Sequence, residues 1–392
     1  MREDVIMYYL NSEQIELRNK IRAFVDSEIS PIASQLDSSG AYPREIVQRL
    51  GALGYGGLPF SKELGGMGMG IIETMIFMEE LSRGLASLGF VFCAHILPCC
   101  YTVRELVSEK QKNEWLLPAI KCEKLLTFAI SEERGGSDAF AVDTIAERKP
   151  DGWLLNGSKC WITNAGVADG YIINAKTSAN SRSRSVSLFY VDAHSEGVEV
   201  TMTDMIGLNN SPTGTVKFTN CRLPADALIG EENEGYKPIK IALNCGRLGL
   251  SAVAVGIAQS AFEKAVEFST NRGNFDRTLY SYQGVSFPIA EMYTNINAAR
   301  TMLYHVADET GAGMNTTMET AALKLFSTEM CQKVCRDAVL LHGSRGFSSH
   351  CDIERMLRDS QLLTVAEGTS QICKVVISNG IYNAGLENFK KL

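Results

Sequence analysis

Residues 241–270 read IALNCGRLGLSAVAVGIAQSAFEKAVEFST, a proline-free run that predicts one long helix. Three more helical segments follow it: MYTNINAARTMLYHVADE, METAALKLFSTEMCQKVCRDAVLL and SQICKVVISNGIYNA. Four helices of this length predict a helical bundle. Ahead of them, from about Lys121 to Glu234, the texture is different. Short strand-like runs, LLTFAIS, GWLLNGSKCWIT, YIINAKT, SVSLFYV, VEVTMT and GTVKFTN, are separated by Gly, Asn, Asp and Ser clusters. Residues 1–120 return to helical periodicity. NSEQIELRNKIRAFVDSEI opens on Asn11 or Ser12 as a cap and spaces apolar residues through Ile15, Ile21 and Phe24/Val25. The expected fold class is therefore α+β: an N-terminal α-helical domain (1–120), a middle antiparallel β-domain (121–234) and a C-terminal four-helix bundle (235–392), with RLPADALIGEENEGY as the linker into the bundle. That order excludes a doubly wound nucleotide-binding sheet as the main architecture.

With 392 residues, 45% hydrophobic and 21% charged, the chain is long enough for two or three domains and a large buried site. Its net charge of -7, without a dense Lys/Arg tract, argues against a nucleic-acid groove or an anionic membrane surface. No stretch approaches the roughly 20 uninterrupted apolar residues of a membrane helix. The start, MREDVIMYYLNSEQ, lacks the apolar core and small-residue cleavage site of a signal peptide, so a cytoplasmic, bacterial setting is expected. The 11 cysteines show no CxxC pair or His-Cys metal spacing; they read as reduced thiols, and no metal is expected. The glycine-rich GGMGMG (65–70) follows a helical segment, not a strand, and reads as a connecting loop.

Two short stretches raise a chemical question. VAEGTSQICK (365–374) sets a lone carboxylate, Glu367, in a small-residue turn before a helix capped by Thr369-Ser370. Alone it reads as an acid answering the helix dipole. Trp161, Ile162 and Thr163 offer a ring, an apolar wall and a hydroxyl on consecutive strand residues, which alone would suit a sandwich core.

Four separated segments change the weight of both. FAISEERGGSD (128–138), GSKCWITNAG (157–166), NRGNFDRTLYSYQ (271–283) and HGSRGF…MLRDS…AEGTSQI together resemble, in order and context, the short- and medium-chain-like acyl-CoA dehydrogenases. These are FAD flavoproteins with an α domain, a β domain and a C-terminal four-helix bundle. The resemblance covers nearly the whole chain. It implies that Phe128, Ile130, Ser131, Ser137 and the Trp161-Ile162-Thr163 triplet contact the flavin, with Ser137 also near the thioester. It implies that Arg272, Phe275 and Gln283 reach the FAD of a neighbouring subunit, and that Gly343, Ser344, Thr369 and Gln371 also line cofactor sites. An oligomer, expected as a homotetramer, follows.

For chemistry, the resemblance implies α,β-dehydrogenation of an acyl thioester, acyl-CoA to trans-2-enoyl-CoA. Glu367 would remove the α proton as general base, with the enolate oxygen held by the Glu367 backbone N–H and a flavin hydroxyl. Desolvation is expected to outweigh the helix dipole at Glu367 when substrate binds. Asn244, Arg247, Ala366 and Gly368 are the expected substrate contacts, NCGR (244–247) meeting the pantetheine arm. An electron-transferring flavoprotein is the expected acceptor.

Departures at Ala366, Asn244 and 133–135 point to the substrate, and those at Asp276 and Leu340 to weaker contacts at the adenosine end of the flavin. Ala366 stands where many relatives have Tyr beside the base, which opens room for a branched, cyclic or hydroxylated acyl group. Asn244 replaces an Asp, ERG (133–135) lacks the usual proline, Asp276 follows Phe275 where Gly is usual, and Leu340 takes the place of a flavin-binding Gln. Three rivals stay open: a dehydrogenase or oxidase of an acyl or aminoacyl group on a carrier protein, an acyl-CoA or nitroalkane oxidase, and a non-enzymatic flavoprotein of the DNA-associated branch. Glu367 weighs against nitroalkane chemistry, which usually uses Asp, and the acidic composition weighs against DNA.

Overall fold

Asn11 starts the first helix as its cap. Its side chain accepts from the Gln14 N–H at 2.9 Å, while Gln14 Oε1 accepts from the Asn11 N–H, the reciprocal box that satisfies two orphan donors. The computed structural model describes residues 10–178 and 185–385, so the stretch 1–9 used above for targeting, and the tail 386–392 of the C-terminal domain, lie outside the described residues. The N-terminal part is helical throughout: α1 (Ser12–Phe24), α2 (Ala33–Ser39), α3 (Arg44–Ala52), α4 (Ile71–Gly84), α5 (Ala86–His95) and the short α6 (Glu109–Gln111) and α7 (Leu117–Ile120). The buried stripe of α1 is Gln14, Leu17 and Ile21, continuing to Val25, rather than the face through Ile15. Gln14 can lie inward because its amide is spent on the cap and on Glu73 Oε1 at 2.8 Å. The GGMGMG segment is a loop, and it delivers the chain to α4, where Glu73 accepts from the Gly70 N–H at 2.8 Å.

Strands β1 (Leu126–Ala129), β2 (Ile145–Lys149), β3 (Gly152–Thr163), β4 (Gly170–Lys176), β5 (Val186–Asp192), β6 (Val198–Met202), β7 (Thr213–Pro224) and β8 (Leu228–Ile229) form one sheet in the order β6-β7-β3-β2-β4-β5-β8. β1 pairs on β4. The sheet is antiparallel except at its centre, where β4 runs parallel to β1 and, at Ile145↔Lys176, to β2. The long loop after β1 and the β2-β3 hairpin supply the crossover that parallel neighbours require. Trp153, Tyr171, Phe189 and Phe218 fill the apolar interior of this domain.

The C-terminal part contains α8 (Tyr236–Asn271), α9 (Gln283–Gly311), α10 (Thr317–His342), α11 (Asp352–Leu363) and α12 (Ser370–Ala384). α8 is the axis of the molecule. It holds an 18-residue window apolar enough for a membrane span, yet 83% of that window is buried against its neighbours, which makes it a core helix. Close approach to α4 needs Gly256: a methyl there would lie 2.2 Å from the Glu79 carbonyl oxygen. Glu79 in turn takes Arg300 Nε at 2.9 Å and the Tyr304 hydroxyl at 2.8 Å, so α9 is bound to the same place.

The apolar residues Ile372, Val375 and Val376 follow a helical spacing that predicts one inward face for α12, and the structure differs. The buried residues of α12 are Ser370 and Cys373, whereas Ile372 and Val376 are half-buried and Val375 is exposed. Small residues face α10 because that contact is close; a methyl at Gly380 would come within 3.0 Å of Met318 Sδ.

Candidate active site

Glu367 lies in the turn between α11 and α12, with φ +54°, a left-handed conformation that non-glycine residues adopt rarely. The turn is closed by Ser370 N–H to the Thr364 carbonyl at 3.0 Å, and Thr369 caps α12 by accepting from Ile372 N–H at 3.2 Å. The carboxylate is directed onto the bare backbone of Gly246 in α8. A methyl at Gly246 would lie 2.1 Å from Glu367 Oε2, so the missing side chain is what makes room for the acid. Among the described residues nothing donates a hydrogen bond to this carboxylate, and nothing accepts from the Glu367 backbone N–H. Burial pushes its pKa up to about 7, against the pull of Arg247 and Lys324.

The backbone of this turn is well held. Arg247, 4% exposed, donates Nε to the Glu367 carbonyl at 3.2 Å and NH1 to Asn244 Oδ1 at 3.1 Å. Asn244 donates in turn to the Thr317 hydroxyl at 2.9 Å. Lys324 donates to the Gly368 carbonyl at 2.7 Å. Glu367, Gly368, Thr369, Asn244 and Arg247 thus converge, and Ala366, half-buried against the core, lies beside them. Gln371 is exposed on the first turn of α12.

A second group gathers at the ends of β1 and β3. Trp161 is 64% exposed, has φ +60° and stands in an irregularity of the β3-β7 pairing between Lys159 and Ile162. A bulky residue held in a left-handed conformation with its ring turned out of the sheet carries backbone strain of the kind found where a ligand packs. Ile162 is buried, and Thr163 is half-buried beside it. The Thr163 carbonyl accepts from the Thr127 hydroxyl at 2.8 Å, and the Ser131 carbonyl accepts from Cys160 N–H at 2.9 Å, which ties β1 and the residues after it to β3. Phe128, Ile130 and Ser131 are half-buried along that edge, while Ser137 is exposed in the following loop.

That loop is anchored by residues the motifs contain but sequence reasoning passed over. Glu132 accepts from Lys159 Nζ at 2.6 Å, Asp143 N–H at 2.6 Å and the Thr144 hydroxyl at 2.7 Å. Lys159 is fully buried, and burial lowers its pKa to about 8 despite that partner. The signal was available: Lys159 shares strand parity with the buried Trp153 and Leu155.

α5 joins the two groups. His95 accepts from Leu126 N–H at 3.0 Å and meets the Ala119 carbonyl at 2.9 Å, Val91 O accepts from Asn164 Nδ2 at 3.3 Å, and the Cys93 thiol lies 4.0 Å from the Gly246 carbonyl. The end of the sheet and the Glu367 turn therefore flank the same helix.

Arg272, Phe275, Gln283, Gly343 and Ser344 are elsewhere. Arg272 follows Arg247 by 25 residues along α8, about 37 Å at the helical rise, and it is exposed. Arg272, Lys264, His342 and Arg345 line a separate cleft of about 680 Å³ at the joined ends of α8 and α10, with Gly343 and Ser344 between the last two. Phe275 and Asp276 form the two-residue tip of a hairpin between Gly273–Asn274 and Arg277–Thr278, with φ +50° and +57°. Such a tip requires two left-handed residues, which explains why Asp, a tolerant residue, stands in for Gly at 276. Phe275 at that tip is 83% exposed, Gln283 is exposed, and Leu340 is 70% exposed.

A helix–sheet–helix chain that, among the described residues, holds a carboxylate without a hydrogen-bond donor and an exposed strand tryptophan on the two sides of one helix is built like an acid–base enzyme with a surface for a flat, stacking group. Family models agree over almost its full length: acyl-CoA dehydrogenase N-terminal domain over residues 11–123, middle domain over 127–221 and C-terminal domain over 233–382. The chain belongs to the acyl-CoA dehydrogenase family. It is 34% identical to the short-chain specific acyl-CoA dehydrogenase of Clostridium acetobutylicum, over 96% of this chain and 99% of that one. Its fold matches butyryl-CoA dehydrogenase from Megasphaera elsdenii with TM-score 0.93 at 30% identity, covering 96% and 99% of the two chains. It also matches PigA with FAD and proline, TM-score 0.92 at 25% identity, covering 97% and 100%.

Proposed function

We propose that this protein removes two hydrogens from the α and β carbons of a CoA thioester carrying a short, compact acyl group, with Glu367 as the base. The observation that carries this reading is the pairing within one residue of a carboxylate without a donor and a backbone N–H without an acceptor. A thioester α proton is acidic because the carbanion is delocalised onto the carbonyl. Removing it requires a carboxylate at the carbon and a donor at the oxygen, and Glu367 offers both. Burial tunes the acid: with a pKa near 7 it is basic enough to take a weakly acidic proton and still substantially ionised at neutral pH.

The residues at the end of the sheet fit FAD. Trp161 presents an unpartnered ring, Ile162 an apolar wall, and Thr163 and Ser131 hydroxyls at the rim. When bound, FAD supplies the acceptor for the hydride that leaves the β carbon. Trp161→Ala should weaken FAD retention by about 10–10²-fold, the scale of one lost aromatic contact, with little change in the melting temperature of the apoprotein because the ring is mostly exposed. Titration of apoprotein with FAD checks this; unchanged affinity would remove Trp161 from the site.

Arg272, Phe275, Gln283, Gly343 and Ser344 we assign to the flavin of a second copy. Their separation from the Glu367 turn and the exposed Arg272 guanidinium, which enters no ion pair among the described residues, support that assignment, with a homotetramer as the expected assembly. Electrons then pass to an electron-transferring flavoprotein. Eleven free thiols, nearly all buried, suit a reducing cytoplasm.

Ala366 supports a substrate that is broad near the reacting carbons, and the likeness to a short-chain specific acyl-CoA dehydrogenase supports one that is short. Anaerobic titration of the yellow protein with butyryl-, isobutyryl-, cyclohexanecarbonyl- and octanoyl-CoA, and with prolyl-loaded carrier protein, tests the reading. Flavin bleaching by butyryl-CoA and by the branched or cyclic thioesters, but weakly by octanoyl-CoA, is expected. Bleaching by the loaded carrier alone would transfer the reaction to carrier-bound aminoacyl groups, and hydrogen peroxide formed in air during turnover would replace the flavoprotein acceptor with oxygen.

A further inference from the structure

The Glu367 turn is clasped by a row of side chains on α10 that the chemistry above does not use. Gln332 Nε2 donates to the Ser360 and Gln361 carbonyls, each at 3.4 Å, and to the Thr364 hydroxyl at 3.2 Å. Glu329 accepts from the Ser370 hydroxyl at 2.8 Å. Nearest the carboxylate, Lys324 donates to the Gly368 carbonyl at 2.7 Å. Arg247 holds the preceding carbonyl, that of Glu367, from α8. Two consecutive carbonyls therefore each receive an N–H from a cationic side chain, and the two residues that own them have left-handed φ of +54° and +93°. Lys324 is 0% exposed and forms no ion pair among the described residues. A buried ammonium is expensive unless paired, so this one calls for a reason beyond packing.

We propose that Lys324 is a positioning residue for Glu367: by pinning the Gly368 carbonyl it keeps the left-handed turn that lays the carboxylate over Gly246, and its positive charge favours the ionised acid. The proposal rests on Glu367 being the base. Groups facing that carboxylate are Arg247 and Cys245 from α8, Lys324 from α10 and Cys93 from α5, while Cys373 from α12 and Glu329 face Lys324. Burial raises all three thiols, Cys245 to about 12, and keeps them neutral. The field at the acid is therefore set by the two cations. Removing one of them must raise the pH at which Glu367 ionises, since an opposite charge stabilises the carboxylate.

The test follows exchange of the substrate α proton for deuterium in D₂O as a function of pH, on the FAD-loaded protein, with FAD content and melting temperature recorded for each variant. Lys324→Met should slow exchange about 10–10²-fold and move its rising limb up by about one pH unit. Lys324→Arg should return the limb to its parent position. Ser370→Ala, which releases the Glu329 contact without removing charge, should leave the limb where it was. If Lys324→Met does not fold, Lys324→Gln keeps a donor for the carbonyl without the charge and should show the same upward limb. An unmoved limb in whichever of these two neutral variants folds overturns the proposal. Full exchange in Glu367→Gln would instead overturn the base assignment, a separate failure.

Discussion

Glu367→Gln should lower the rate of α-proton exchange and of turnover by about 10²–10⁴-fold, the usual contribution of a positioned general base, while FAD remains bound. The change is isosteric, so the turn and the contact with Gly246 can persist. Two further outcomes separate loss of a base from general damage. In the parent protein the rate should rise with pH through about 7, because only the ionised carboxylate accepts a proton and burial has raised its pKa to that value; in the variant this limb should vanish. Stability should move the other way. A carboxyl whose folded pKa lies above its unfolded value binds a proton more tightly in the folded state, so its contribution falls as pH rises from about 4.5 to about 7 and remains unfavourable above that. Glu367→Gln removes that penalty, and its melting temperature above pH 7 should exceed that of the parent. A variant that exchanges at the parent rate, or that melts lower at pH 8 with its flavin lost, would contradict this account of the residue.

How much of this was legible beforehand depends on which group makes the contact. The three-part order of helix, sheet and helix followed from periodicity, because amphipathic faces repeat over many residues. β2 was missed: in IAERK only Ala146 is buried, and charged residues on a short central strand leave no alternation to read. α11 was missed as an element although MLRDS lies within it. At the site, Glu367 and Trp161 were visible because motifs surround them. The roles of Gly246, although it lies within NCGR, and of Lys324 were not, and for a physical reason: one acts by lacking a side chain and the other by binding a backbone carbonyl. Lys324 in METAALKLFSTEM looks like any lysine on a solvated helix face, and only the fold turns it inward.

Gly246→Ala isolates that hidden requirement. In an interior helical position alanine is favoured over glycine by about 1 kcal/mol, so α8 itself should tolerate or gain from the change. The new methyl, however, would lie 2.1 Å from Glu367 Oε2 and 2.3 Å from Cδ, distances no real contact sustains. The Glu367 backbone is fixed by Arg247 and Lys324, whereas its carboxylate is the free end of a flexible side chain. The side chain therefore yields, and the acid leaves the place it is held for. Misplacement of a reacting group by about 1 Å costs on the order of 10²-fold in rate. Turnover should accordingly fall about 10–10²-fold while FAD content and melting temperature stay at or above those of the parent, a combination that ordinary destabilisation does not produce. A rate within about threefold of the parent would mean that the carboxylate works equally well from another rotamer, and that Gly246 serves the packing of α8 rather than the placement of the base.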